Sequence, residues 1–107
     1  MEVRAGFAQP GSYALMLWEA NQNAVVWQRR GNFINTDDDL YPLPGPAAVH
    51  HNRLLDCLAT FTITPPIDRY RLQVIVFQEG VELGMDVREG KSELPTLTVE
   101  IFIQLST

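Results

Sequence analysis

Asp37, Asp38 and Asp39 are consecutive carboxylates in a 107-residue chain, and binding a hard cation such as calcium is the chemistry that such a run can serve. The helix-loop-helix calcium pattern does not fit. It needs a glycine at its sixth position and a glutamate at its twelfth, and counted from Asp37 those positions hold Pro42 and Ala48. A site here would have to borrow carboxylates from a second loop, with Asp86 and Glu89 as candidates. A solvated acidic turn is the simpler reading, so the three aspartates are weak metal candidates only.

Other constellations fail on spacing or surroundings. Gly90-Lys91-Ser92 ends like a phosphate-binding loop, but Gly84 and Gly90 enclose one residue too many for that motif. Asp86 and Glu89 would also repel a phosphate, and Pro95 comes too soon for the helix that should hold the anion. His50, His51, Asp56 and Cys57 supply the residue types of a Cys-His-Asp nucleophile. Cys57, however, alternates with Leu55 and Ala59, which makes it a small buried apolar group. Adjacent histidines on an extended chain diverge and do not share a metal. Trp18, Trp27, Phe33 and Tyr41 could line a ligand groove, although aromatics this large more often fill or cover a core. No catalytic residue, cofactor or family motif is read from the chain.

Composition narrows the class. The formal net charge is -5 and the pI about 4.8, which argues against nucleic acid, a partner bound mainly through Lys and Arg. Cys57 is the single cysteine, so no intrachain disulfide forms and an oxidising compartment is not required. The start, Met1-Glu2-Val3-Arg4, lacks the pattern of a signal peptide. No apolar run approaches the roughly 18 residues of a membrane span. The expectation is a soluble cytoplasmic protein with no membrane partner. A hydrophobic fraction of 46% suffices for one core in one domain, residues 1–107.

The elements that would position any site are strands. Tyr70, Leu72, Val74 and Val76 alternate, then Val81, Leu83, Met85 and Val87 alternate after Glu79-Gly80, as in a β-hairpin turned at a glycine. Leu97, Val99, Ile101, Ile103 and Leu105 form the longest apolar stripe. Arg53–Ala59 also has helical spacing at Leu54, Leu55 and Leu58. The unbroken alternation of Leu55, Cys57, Ala59, Phe61 and Ile63 with interleaved threonines favours strand. Strands are expected at Tyr13–Glu19, Ala24–Arg29, Leu55–Thr64, Tyr70–Gln78, Val81–Val87 and Thr96–Leu105. A short edge strand is possible at Met1–Arg4, and another short strand at Gly31–Thr36. Arg88–Pro95 reads as a polar loop. Thr36–Asn52, with Pro42, Pro44 and Pro46, reads as a long loop holding at most a turn of structure.

About seven short strands with no amphipathic helix predict an all-β antiparallel sandwich, with a small β-barrel as the alternative. The paired cysteines around a tryptophan that mark true immunoglobulin domains are absent, so likeness to them is one of architecture. The expected function is a non-enzymatic module for protein–protein interaction or self-assembly. The alternative is a small-ligand or cation-binding module using the Thr36–Asn52 loop. The interface residues expected are Phe102, on the polar side of the last strand, with Trp18 or Phe77 as partners in an exposed patch that a homodimer would cover.

Overall fold

The computed structural model describes residues 1–6, 10–33, 39–63, 66 and 68–106, with backbone only at 4–6 and 39. Its strands are β1 (Glu2–Gly6), β2 (Gly11–Trp18), β3 (Val25–Asn32), β4 (Asp39–Leu40), β5 (Leu54–Thr62), β6 (Arg69–Gln78), β7 (Val81–Lys91) and β8 (Thr96–Gln104). A 3-10 turn at Ala47–His50 precedes β5. The strands form two antiparallel sheets, ordered β4-β1-β6-β7 and β3-β2-β5-β8, in which β4 is only two residues long. Among the described residues the sheets share no ladder and do not close into a barrel, so the fold is an all-β sandwich.

The inward set follows the period of two. Leu15, Leu17, Leu55, Cys57, Ala59, Phe61 and Ile101 are fully buried from one sheet, and Leu72, Val74 and Val76 from the other. Each large aliphatic side chain so covered contributes roughly 1.5–3 kcal/mol. At one end Tyr13 packs on Phe33, Phe33 stacks on Phe61 at 5.3 Å, and Tyr41 meets Trp27 edge-on. Trp27 and Phe33 therefore belong to the core and its margin, and Tyr41, packed at that margin, also lines a recess beside Met1 and Phe77.

Several boundaries differ from the sequence expectation. β3 absorbs Gly31 and Asn32 as its continuation, and β7 runs on to Lys91, taking in Arg88 to Lys91 from what reads as loop. β1 pairs with β6 from Glu2 to Gly6 and is covered on its other flank by β4 at Glu2 and Val3, so it is an edge strand only beyond that pairing. The alternation on β7 is broken. Val76 pairs with Gly84 but Phe77 pairs with Glu82, and the extra residue, Leu83, is a β-bulge. A bulge changes which residues face inward. Leu83 is buried, whereas Met85 and Val87 stand opposite Ile75 and Gln73 on the outer side. The hairpin itself turns at Glu79 and Gly80, with φ of 54° and 76°. That pair of positive angles matches the right-handed twist of the flanking strands.

The described part of the Thr36–Asn52 segment is tied down. Tyr41 exchanges hydrogen bonds with Met1, and the Gln78 amide donates to the carbonyls of Leu43 and Gly45 at 3.1 and 2.7 Å. Leu43 and His50 are buried.

Candidate functional site

Strand register places four side chains in each row across the outer face of the β3-β2-β5-β8 sheet. One row reads Arg30, Ala14, Leu58, Glu100. The next reads Gln28, Met16, Asp56, Phe102, and a third reads Val25, Trp18, Leu54, Gln104. This outer face is unusually apolar for a sheet surface turned to water. Leu58 is 41% exposed and Phe102 53%, with Met16, Trp18 and Leu54 partly buried around them. Two recesses mark it. One of about 610 Å³ is lined by Ala14, Met16, Gln28, Arg30 and Leu58. The other, of about 260 Å³, is lined by Trp18, Gln22, Leu54, Asp56 and Phe102.

Asp56 is the anomaly on this face. It points to the solvent side of its sheet, yet it is 7% exposed, and its Oδ1 has no hydrogen-bond partner. Neighbours on both flanking strands cover it. Burial, a hydrogen bond with the Glu100 carboxyl and the charge of Glu100 push its pKa up to about 6. Behind it Cys57 faces the core, and burial, with the charges of Asp56 and Glu100, pushes its thiol up to about 12. A thiol so held is protonated and unreactive, as its place in the alternation suggested.

The expected interface residues separate. Trp18 and Phe102 come together at one cleft. Phe77 lies on β6 in the other sheet and lines a different recess with Met1, Leu40, Tyr41 and Pro42. Asp37 and Asp38 lie outside the described residues, and Asp39 is a strand residue of β4 paired with Val3. The row continues through Val74 to Asp86, so Asp39 and Asp86 are three strand spacings apart, about 14 Å. Asp86 pairs with Arg88 at 2.8 Å and Glu89 with Arg71 at 3.5 Å. Among the described residues no group of three or more His, Cys, Asp or Glu is placed to hold a metal ion.

His50 and Asp56 also separate. His50 is fully buried, and its Nδ1 stands 3.2 Å from the guanidinium of Arg53, which pairs with Glu19 at 2.8 Å. Burial first, and then the Arg53 charge, hold His50 below its usual range, with the Pro44 carbonyl opposing them. Arg53 thereby ties the start of β5 to Glu19, the residue after the end of β2.

The sequence reading weighed Asp56 only as a partner of His50, His51 and Cys57, and missed Glu100 and the outer face that joins the two acids. The available signal was the second stripe on β5, where Leu54 and Leu58 flank Asp56 at a period of two. A strand apolar on both faces with one carboxylate in the outer stripe marks that carboxylate for burial.

The chain matches no protein family model, no curated protein and no solved structure. Among the described residues no helix is long and apolar enough to cross a membrane.

Proposed function

We propose that this protein is a non-enzymatic interaction module that self-associates through the outer face of the β3-β2-β5-β8 sheet. The carrying observation is the row Arg30, Ala14, Leu58, Glu100, with a cation at one end, an anion at the other and apolar residues between. A two-fold axis lying between the copies, parallel to the strands and midway between β2 and β5, reverses this row. Arg30 of each copy then faces Glu100 of the other, and Ala14 faces Leu58. The face is thus complementary to itself, as a two-fold dimer requires.

Magnitudes favour a weak dimer. Four strands by eight residues give a footprint of about 500 Å² per copy, or about 1,000 Å² in total, the lower end for specific interfaces. Covering the half-exposed Leu58 and Phe102 on both copies supplies most of the gain, and the two ion pairs add roughly 0.2–1 kcal/mol each. After the entropy cost of association, the dissociation constant falls roughly in the micromolar-to-millimolar range. Association through a sheet edge is the poorer alternative. The β7 edge carries Glu82, Asp86, Arg88, Glu89 and Lys91, and charges on an edge oppose strand addition.

Sedimentation equilibrium over a concentration series tests the reading. Wild type should show a monomer–dimer equilibrium, and Phe102→Ser should weaken it. Arg30→Glu and Glu100→Arg should each weaken it as well, and the two together should restore it. A monomer at every concentration, or a double variant no better than the single ones, overturns the proposal.

A further inference from the structure

We infer that the cleft between Trp18, Gln22, Leu54, Asp56 and Phe102 binds an organic cation, an alkylammonium or guanidinium group. The site is built from one chain's residues, and it lies within the face proposed to cover a second copy, so ligand and self-association compete for it and the ligand binds the monomer.

The first support is the buried carboxyl. Asp56 contributes to the wall of the cleft, is 7% exposed, and leaves Oδ1 without a donor. A carboxylate oxygen in apolar surroundings needs a donor. The charged and titratable groups around it supply none. On β8 it faces Glu100, a second acid. On β2 its neighbours are Met16 and Trp18, which do not titrate. On β3 Gln28 lies beyond Met16, and Arg30 belongs to the next row, at the far side of the sheet. Arg53, just before β5, gives its terminal nitrogens to His50 and Glu19, and its buried Nε has no acceptor, Asp56 included.

The walls select the kind of donor. An anion is repelled by Asp56 and Glu100. A neutral apolar guest would leave the orphaned oxygen unmatched. Trp18 and Phe102 line the same cleft as Asp56, and an organic cation is attracted both by aromatic rings and by a carboxylate. A volume of about 260 Å³ accepts a charged head with a short alkyl stem, and a bare metal ion would leave the rings idle.

The test uses n-butylammonium as probe and n-butanol as its neutral counterpart, at constant ionic strength. Binding is followed by two-dimensional amide NMR, with the Trp18 indole signal as local reporter. Butylammonium should give saturable shifts confined to Trp18, Gln22, Leu54, Asp56 and Phe102, and butanol should not. Asp56→Asn, close in shape and free of charge, should weaken binding about tenfold or more. Phe102→Ser should weaken it too, while Phe77→Ser, on the other sheet, should leave it unchanged. Binding should be tighter at pH 7.5 than at pH 5, since the cation needs Asp56 ionised. Absence of saturable shifts, equal binding of butanol, or unchanged binding in a folded Asp56→Asn variant overturns the inference.

Discussion

Asp56 and Phe102 are register partners on β5 and β8, and their exposures are inverted, with the carboxylate 7% exposed and the ring 53%. The sheet order explains it. β5 is an interior strand, with β2 on one side and β8 on the other, so Asp56 is covered by Met16 and Phe102 from both flanks. Phe102 sits on the edge strand and is covered from one flank only. Position in the sheet has overridden the polarity of both residues.

The first expectation concerns Asp56 and stability. The folded state holds this proton up to a pH of about 6, against 3.8 for an ordinary aspartate. The folded protein therefore binds more protons than the unfolded chain between those values. Its contribution is most favourable below pH 3.8, is lost as pH rises to about 6, and stays lost above. Asp56→Asn should then raise stability at pH 7.5 by about 1–2 kcal/mol, and should raise it less at pH 4. Urea unfolding of both proteins across this range measures the difference. A variant less stable than wild type at pH 7.5 contradicts the assignment.

His50 should act with the opposite sign. Its folded pKa lies below the ordinary 6.5 because burial and Arg53 disfavour its charge. The unfolded chain binds the proton more readily, so stability is complete above pH 6.5 and falls as the pH drops below it. In wild type the trends from His50 and Asp56 oppose each other between about pH 4 and 6. In the Asp56→Asn background, unfolding free energy should decline more steeply as pH falls below 6.5, and adding His50→Gln should flatten that decline.

Gly84 permits a close approach between the sheets. A Cβ at this position would lie 2.5 Å from Cγ2 of Ile103. Gly84→Ala should cost about 1–3 kcal/mol through overpacking. In an Ile103→Ala background, where that methyl is gone, the same substitution should cost less, and a double-mutant cycle by chemical denaturation reads the coupling.

Cys57 should be inert in the native protein. It is fully buried, and its thiol is pushed up to about 12. An aromatic disulfide reagent at pH 8 should react only as fast as the protein unfolds, and at full speed in denaturant. Rapid labelling of native protein would show that β5 opens locally.

Local pattern carried most of the fold. Side-chain alternation is a property of neighbours in the chain, so the stripes of β2, β5, β6 and β8 were legible from residues such as Leu15, Cys57, Val74 and Ile101. The bulge at Leu83 was not legible, because it arises where β7 must keep pairing with β6 while Gly84 packs against Ile103. The candidate site was half legible. Phe102 and Trp18 stood out singly as aromatics on strands, but nothing local says that β2, β5 and β8 are neighbours.

The sequence by itself determined an all-β chain whose apolar stripes require two facing layers, because burial depends on the period of two along each strand. Tertiary structure alone decided which outward residues share a surface. Pairing β5 between β2 and β8 set Asp56 between Met16 and Phe102, put Arg30 and Glu100 at opposite ends of one row, and sent Phe77 to the other sheet. The physical reason is that strand order and register join residues forty or more positions apart in the chain, such as Met16 and Asp56 or Asp56 and Phe102, through contacts that no local spacing encodes.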